Sequence, residues 1–112
     1  NDCMPSTESF HELSSYFKAC EAHAEARFNE LPADRREKIA TWSAAVIATL
    51  KDENIPMSDI QMMLGTLAGM IVHGETVPDG LSKAELRSHA RNMLVGAFER
   101  GCDDISLLDL KR

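Results

Sequence analysis

The chain has 112 residues, 44% of them apolar and 27% charged, with a net charge of −6. That length and balance fit one globular domain and exclude a disordered tail or a collagen-like fibre. Residues 1–56 hold ten acids against six bases, and residues 57–112 hold eight against six. Neither half offers the positive field with which nucleic-acid binders displace counterions from phosphate. Direct nucleic acid binding is therefore not expected. Cys3, Cys20 and Cys102 are odd in number and far apart, which is no disulfide framework and suits a reducing, cytoplasmic setting. The most apolar run, Met62–Val72, spans 11 residues, against about 20 for a membrane helix. No membrane association is expected. Asn1 stands where an initiator methionine would, which is compatible with a removed leader.

The spacing predicts four helices and a tail. The first covers about residues 6–30, with Ser9 and Glu12 as a capping box. Phe10, Leu13, Phe17, Cys20, Ala24, Phe28 and Leu31 recur at threes and fours and mark its apolar face. Cys20 reads as a small hydrophobe on that face. Pro32 breaks the chain and starts a second helix over about 33–54, because proline's missing N–H is harmless in a first turn. Ile39, Trp42, Val46 and Leu50 share its face. A third helix over about 58–73 opens at Ser58, with Gln61 completing a capping box and Met57–Met62 as a hydrophobic staple. Gly74 is its expected left-handed stop. Thr76–Gly80 is turn chemistry. Ser82 and Glu85 form the capping box of a fourth helix over about 82–100, with Leu86, Ala90, Met93, Leu94 and Ala97 on its face, Phe98 alongside, and Gly101 ending it. Residues 102–112 form an acidic, leucine-rich tail, read either as a short helical turn or as an extended segment. No stretch alternates with period two. The expectation is an all-α fold, a compact bundle of four helices in a single domain over 1–112 with that short tail.

The third helix carries apolar residues on two sides. Ile60, Met63, Leu64, Leu67 and Ile71 fall together on a helical wheel. Met62, Gly65, Gly69 and Val72 fall nearly opposite. Such a helix should be covered on both faces. Either it is the centre of its own bundle, or one face belongs to a second copy or a partner. Met62, Gly65, Gly69 and Val72 are the expected homodimer interface, since the two glycines let another helix approach closely. Four methionines between Met57 and Met70 read as core filler or as an adaptable binding surface.

Lys83, Arg87 and Arg91 form a stripe leading into Leu94 and Phe98. It is either a solvated flank paired with the chain's own acids or a contact for an acidic partner. His11, His23, His73 and His89 show no metal-ligand spacing. Glu21 and Glu25 near His23 lack the Glu-x-x-His pattern of bundle metal sites. No metal and no cofactor is expected. The chain has no G-x-S-x-G, phosphate-binding loop, dinucleotide turn or H-E-x-x-H motif. No catalytic residue is assigned, and a non-enzyme is expected.

Size, acidity and spare apolar faces favour a protein that works by covering a hydrophobic surface on another protein. Phe10, Leu13, Tyr16, Phe17 and Trp42 are the expected partner-binding residues, because aromatic anchors dominate such interfaces. In length and helical layout, with Leu31–Leu50 and Ser58–His73 as its apolar centre, the chain resembles small helical antiactivators of LuxR-type quorum-sensing regulators. That resemblance implies inhibition of a LuxR-type transcription factor through its ligand-binding domain, and a homodimer. Two other classes stay open. One is a phage or plasmid inhibitor of a nucleic-acid-binding defence enzyme, which needs carboxylates clustered on one face. The other is a small helical adaptor or chaperone, which an open groove along the third helix would favour.

Overall fold

The computed structural model describes residues 7–104, with side chains from His11 onward. Among these residues the fold is the expected all-α bundle of four helices: α1 (Thr7–Glu30), α2 (Ala33–Asp52), α3 (Met57–Gly74) and α4 (Lys83–Asp103). The tail beyond Asp104 and the side chain of Phe10 lie outside the described residues. No described helix is long and apolar enough to cross a membrane.

Packing is uneven. The extensive contact is between α1 and α4, while α3 meets α4 much more sparsely. Cys20 and Ala24 of α1 are buried, and so is Gly96 of α4. These three small residues make the helix crossing. A Cβ built on Gly96 would collide with the carbonyl oxygen of Cys20 and lie 2.6 Å from its carbon and 2.9 Å from the Ala24 methyl. Only glycine permits that approach. Around it, Arg100 donates to Glu25 at 2.5 Å and lies 3.9 Å over the Phe28 ring. Tyr16 donates a hydrogen bond to Asn92. The apolar face expected of α1 thus meets α4, but α4 answers with Asn92, Gly96 and Arg100. Its expected stripe is split: Met93 and Ala97 line a cleft with Ala24 and Phe28, while Leu86, Ala90 and Leu94 lie on the α3 side.

The helix ends follow local chemistry, with several departures from expectation. α1 already runs through Ser9, so Ser9 does not cap it. Pro32 directly precedes α2, and its carbonyl accepts from the N–H groups of Arg35 and Arg36. The Arg36 guanidinium donates to the carbonyls of Asn29 and Leu31, tying the α1–α2 junction. α2 closes on Asn54 with φ 55°, where the N–H of Ile55 reaches Leu50 and that of Asn54 reaches Lys51. This is the left-handed stop that asparagine tolerates.

α3 begins one residue earlier than expected, after Pro56, and has no side-chain cap. The Pro56 carbonyl takes the N–H groups of Asp59 and Ile60 instead. Ser58 therefore lies inside the helix and forms no capping box with Gln61. Met57 and Met62, 68% and 72% exposed, form no staple. Gly74 ends α3 without a left-handed turn, because Glu75 leaves in extended geometry. Gly80 supplies the positive φ instead, in the turn where Leu81 donates to Pro78.

α4 opens with the expected capping box. Glu85 N–H donates to Ser82 Oγ at 3.1 Å, and Ser82 N–H donates to Glu85 Oε1 at 2.9 Å. The helix passes through Gly101 to Asp103. A glycine that keeps helical angles does not stop a helix.

A candidate protein-binding trough between α3 and α4

α3 has the most apolar sequence of the four helices, yet none of its residues is buried. The expectation that both its faces are covered fails within one chain. The physical reason is geometric. α3 diverges from α4 and leaves a trough between them with a volume of about 970 Å³. Leu64, Gly65, Ala68, Gly69 and Val72 of α3 form one wall. Leu86, Ala90, Leu94, Val95 and Phe98 form the other. A Cβ added at Gly65 or Gly69 would meet nothing within 4 Å. A bundle core would have filled that space.

The rim is cationic. Lys83, Arg87 and Arg91 all line the trough, with His73 at the same end as Lys83. Lys83 Nζ donates to the His73 carbonyl at 2.9 Å and ties the end of α3 to the start of α4. A cation suits that position, where carbonyls of a helix terminus lie free. The ion pairs of the described residues are Arg27–Glu30 and Arg100–Glu25. Among the described residues, no acid forms a salt bridge with Arg87 or Arg91. The solvated-flank reading, in which the chain's own acids pair the stripe, has no ion pair to Arg87 or Arg91 among the described residues.

The sequence-expected residues are dispersed. Gly65, Gly69 and Val72 line the trough, while Met62 does not. Leu13, Tyr16 and Phe17 lie on α1, where Tyr16 engages α4 and its ring is 5.7 Å from that of Phe17. The Tyr16 phenol is held above its usual pKa, chiefly by hydrogen bonding with Cys20 and then by burial. Phe17 is half-buried. Trp42 stands 63% exposed on α2 and is not gathered with the α1 aromatics. The methionines of α3, read as core filler or as an adaptable binding surface, do not line the trough.

Sequence reasoning set Leu94 and Phe98 beside the cationic stripe but did not join them to the glycine face of α3, and it missed Gly96 as the helix crossing. An isolated glycine inside a strongly helical pattern was the available signal, since it usually marks a close packing contact.

Acids gather on the other side of α4. Glu21 is held above its ordinary carboxylate range, first by a hydrogen bond shared with Asp103, then by desolvation and by the charges of Asp103, Glu99 and Glu25. No group of three or more metal-type ligands occurs among the described residues. The trough itself holds apolar walls and donors, an arrangement suited to binding. Compared with known protein families, curated proteins and solved structures, the chain matches none.

Proposed function

We propose that the protein is a non-enzymatic, protein-binding regulator whose working surface is the α3–α4 trough. The ligand is an apolar helical segment of a partner protein with acidic side chains along one edge. The observation that carries this reading is the open apolar trough with Arg87 and Arg91 on its rim, neither in an ion pair among the described residues. Helix-in-groove recognition uses such a surface, with apolar anchors in the floor and charge fixing orientation. An open groove along α3 favours a holding adaptor over an inhibitor acting through the α1 aromatics. Where the held segment belongs to the dimerisation surface of a transcription factor, as the resemblance to LuxR antiactivators implies, holding it would inhibit by cover. A cytoplasmic setting agrees with the unpaired thiols of Cys20 and Cys102.

The test is a titration of the 15N-labelled protein with a designed leucine-rich helical peptide bearing a glutamate edge. Shift changes should concentrate on Leu64–Val72 and Leu86–Phe98. Arg87→Glu with Arg91→Glu should weaken binding about tenfold or more, since each desolvated charge contact contributes one to several kcal/mol. Shift changes on α1 and Trp42 instead would reject the trough.

A further inference from the structure

A second, smaller cleft lies where the end of α1, the start of α2 and the last turns of α4 meet, with a volume of about 450 Å³. We infer that it binds a small-molecule carboxylate with an apolar body, of the chemistry of a medium-chain fatty acid. The inference is independent of the trough reading. α4 gives Met93, Ala97 and Arg100 to this cleft and none of them to the trough.

The lining divides into an apolar floor and a cationic rim. Phe28, Leu31, Ile39 and Met93 supply the floor. Arg27, Arg35 and Arg100 stand with them, against one acid, Glu30. A bare inorganic anion would leave the floor in water, and an uncharged ligand would make no use of the guanidinium groups. A ligand that meets both has an apolar body and an anionic head. Small-molecule sites of this mixed character occupy about 300–1,000 Å³. At roughly 30 Å³ for a water-sized group, the cleft takes at most about 15 heavy atoms.

The arginines have donors to offer. Arg100 gives Nε to Glu25, and its guanidinium lies 3.9 Å over the Phe28 ring. That stacking orients the group before any ligand arrives, which lowers the cost of binding. Arg27 meets Glu30 at 3.6 Å, beyond hydrogen-bond distance, with both side chains largely exposed. Arg35 is in no ion pair among the described residues. Its neighbour Arg36 is the one that ties the α1–α2 junction. Arg35 also lies in the first turn of α2, where a cation opposes the helix dipole, so the stability of α2 does not account for it. The planar fork of arginine matches a carboxylate through two parallel hydrogen bonds. The net charge of −6 repels anions at long range. At physiological ionic strength, however, charges beyond about 8 Å are largely screened. The local excess of three guanidinium groups over one carboxylate then decides the sign of the ligand.

The test titrates the 15N-labelled 112-residue chain with sodium octanoate, far below its micelle concentration, at neutral pH. Saturable shift changes should concentrate on Phe28, Leu31, Ile39, Met93 and Ala97 and spare α3. Octanol, with the same chain and no charge, should bind about tenfold or more weakly. Arg35→Gln should weaken octanoate by a similar factor and leave octanol unchanged. Ala97→Phe, at an exposed position on the cleft wall, should fill the space and abolish binding of both. No saturable change up to about 5 mM overturns the inference. Equal binding of octanoate and octanol, or unaltered octanoate affinity in Arg35→Gln, does the same. Shift changes on Leu64–Val72 instead would move the ligand to the trough and reject the cleft. The helical-peptide titration reads a different set of amides, so either reading can fail without the other.

Discussion

Two glycine-containing helix contacts in this protein have opposite character. At Gly96, α4 meets α1 so closely that a methyl group has no room. At Gly65 and Gly69, α3 faces α4 across open space. The first contact is finished within the chain. It joins small buried residues, an ion pair and a ring–guanidinium stack. The second is unfinished, with apolar walls, arginines in no ion pair among the described residues, and no buried residue on α3. The same residue type thus marks a closed seam in one place and an empty berth in the other. What separates them is whether a neighbouring backbone arrives.

Substitution at Gly96 breaks the comparison most directly. Gly96→Ala forces α1 and α4 apart against a backbone carbonyl, which cannot swing away as a side chain can. Overpacking of this kind costs about 1–3 kcal/mol, occasionally more. The urea midpoint should fall accordingly, with the largest loss of amide protection near Cys20 and Ala24. An unchanged midpoint would show that this crossing is not the centre of stability.

Arg100→Ala sharpens the same side. It removes both the Glu25 pair and the contact with Phe28. Because both partners are partly solvated, the loss should be about 1 kcal/mol. Arg100→Lys should recover little of it, since an ammonium cannot stack and donate as the guanidinium does. Full recovery in thermal melts would assign the effect to charge alone.

Gly65→Ala tests the other side. With no neighbour to strike, it should stabilise the free protein by up to about 1 kcal/mol through helix propensity. The same methyl group should impede a helix seated in the trough. A destabilised variant would mean that the trough closes in solution.

The smallest effect is a pH dependence at the back of α4. The Glu21 carboxyl is raised above its ordinary 4.5 by the hydrogen bond with Asp103 and the surrounding acids. Its contribution to α1–α4 stability is therefore present below the ordinary value and is lost as pH rises through the raised one. Glu85 acts in the opposite sense. Its pKa is lowered by hydrogen bonds from Ser82, so the capping contribution is lost as pH falls through the depressed value. Glu21→Gln should remove the first dependence and leave the second, as read from urea midpoints between pH 3 and 7. Unaltered curves would remove Asp103 from the account.

Much of the helical layout was legible in residue order. Ser82 with Glu85, Pro32 and Pro56 act through bonds to neighbours a few residues away, so their chemistry can be read locally. Even here competition misled: Pro56 began α3 before Ser58 could cap it, and Gly80 rather than Gly74 took the positive φ. The stripe Phe17, Cys20, Ala24 and Phe28 was also readable, because three- and four-residue spacing fixes a common helical face. The partner of that stripe was not. Nothing in α4 announced that Gly96, rather than Leu94 or Phe98, would meet Cys20. That choice depends on how two distant helices cross.

The trough shows the same division. Gly65, Gly69, Val72 and the Lys83–Arg87–Arg91 stripe stood out from spacing alone, but as separate features. Helix type, ends and apolar faces were determined by the sequence, because each depends on hydrogen bonds and rotations within a few residues. The tertiary structure alone decided that glycine face and cation stripe belong to one open surface. Their juxtaposition depends on the closed α1–α4 crossing, which leaves Leu86, Ala90, Leu94 and Phe98 of α4 on the side of α3.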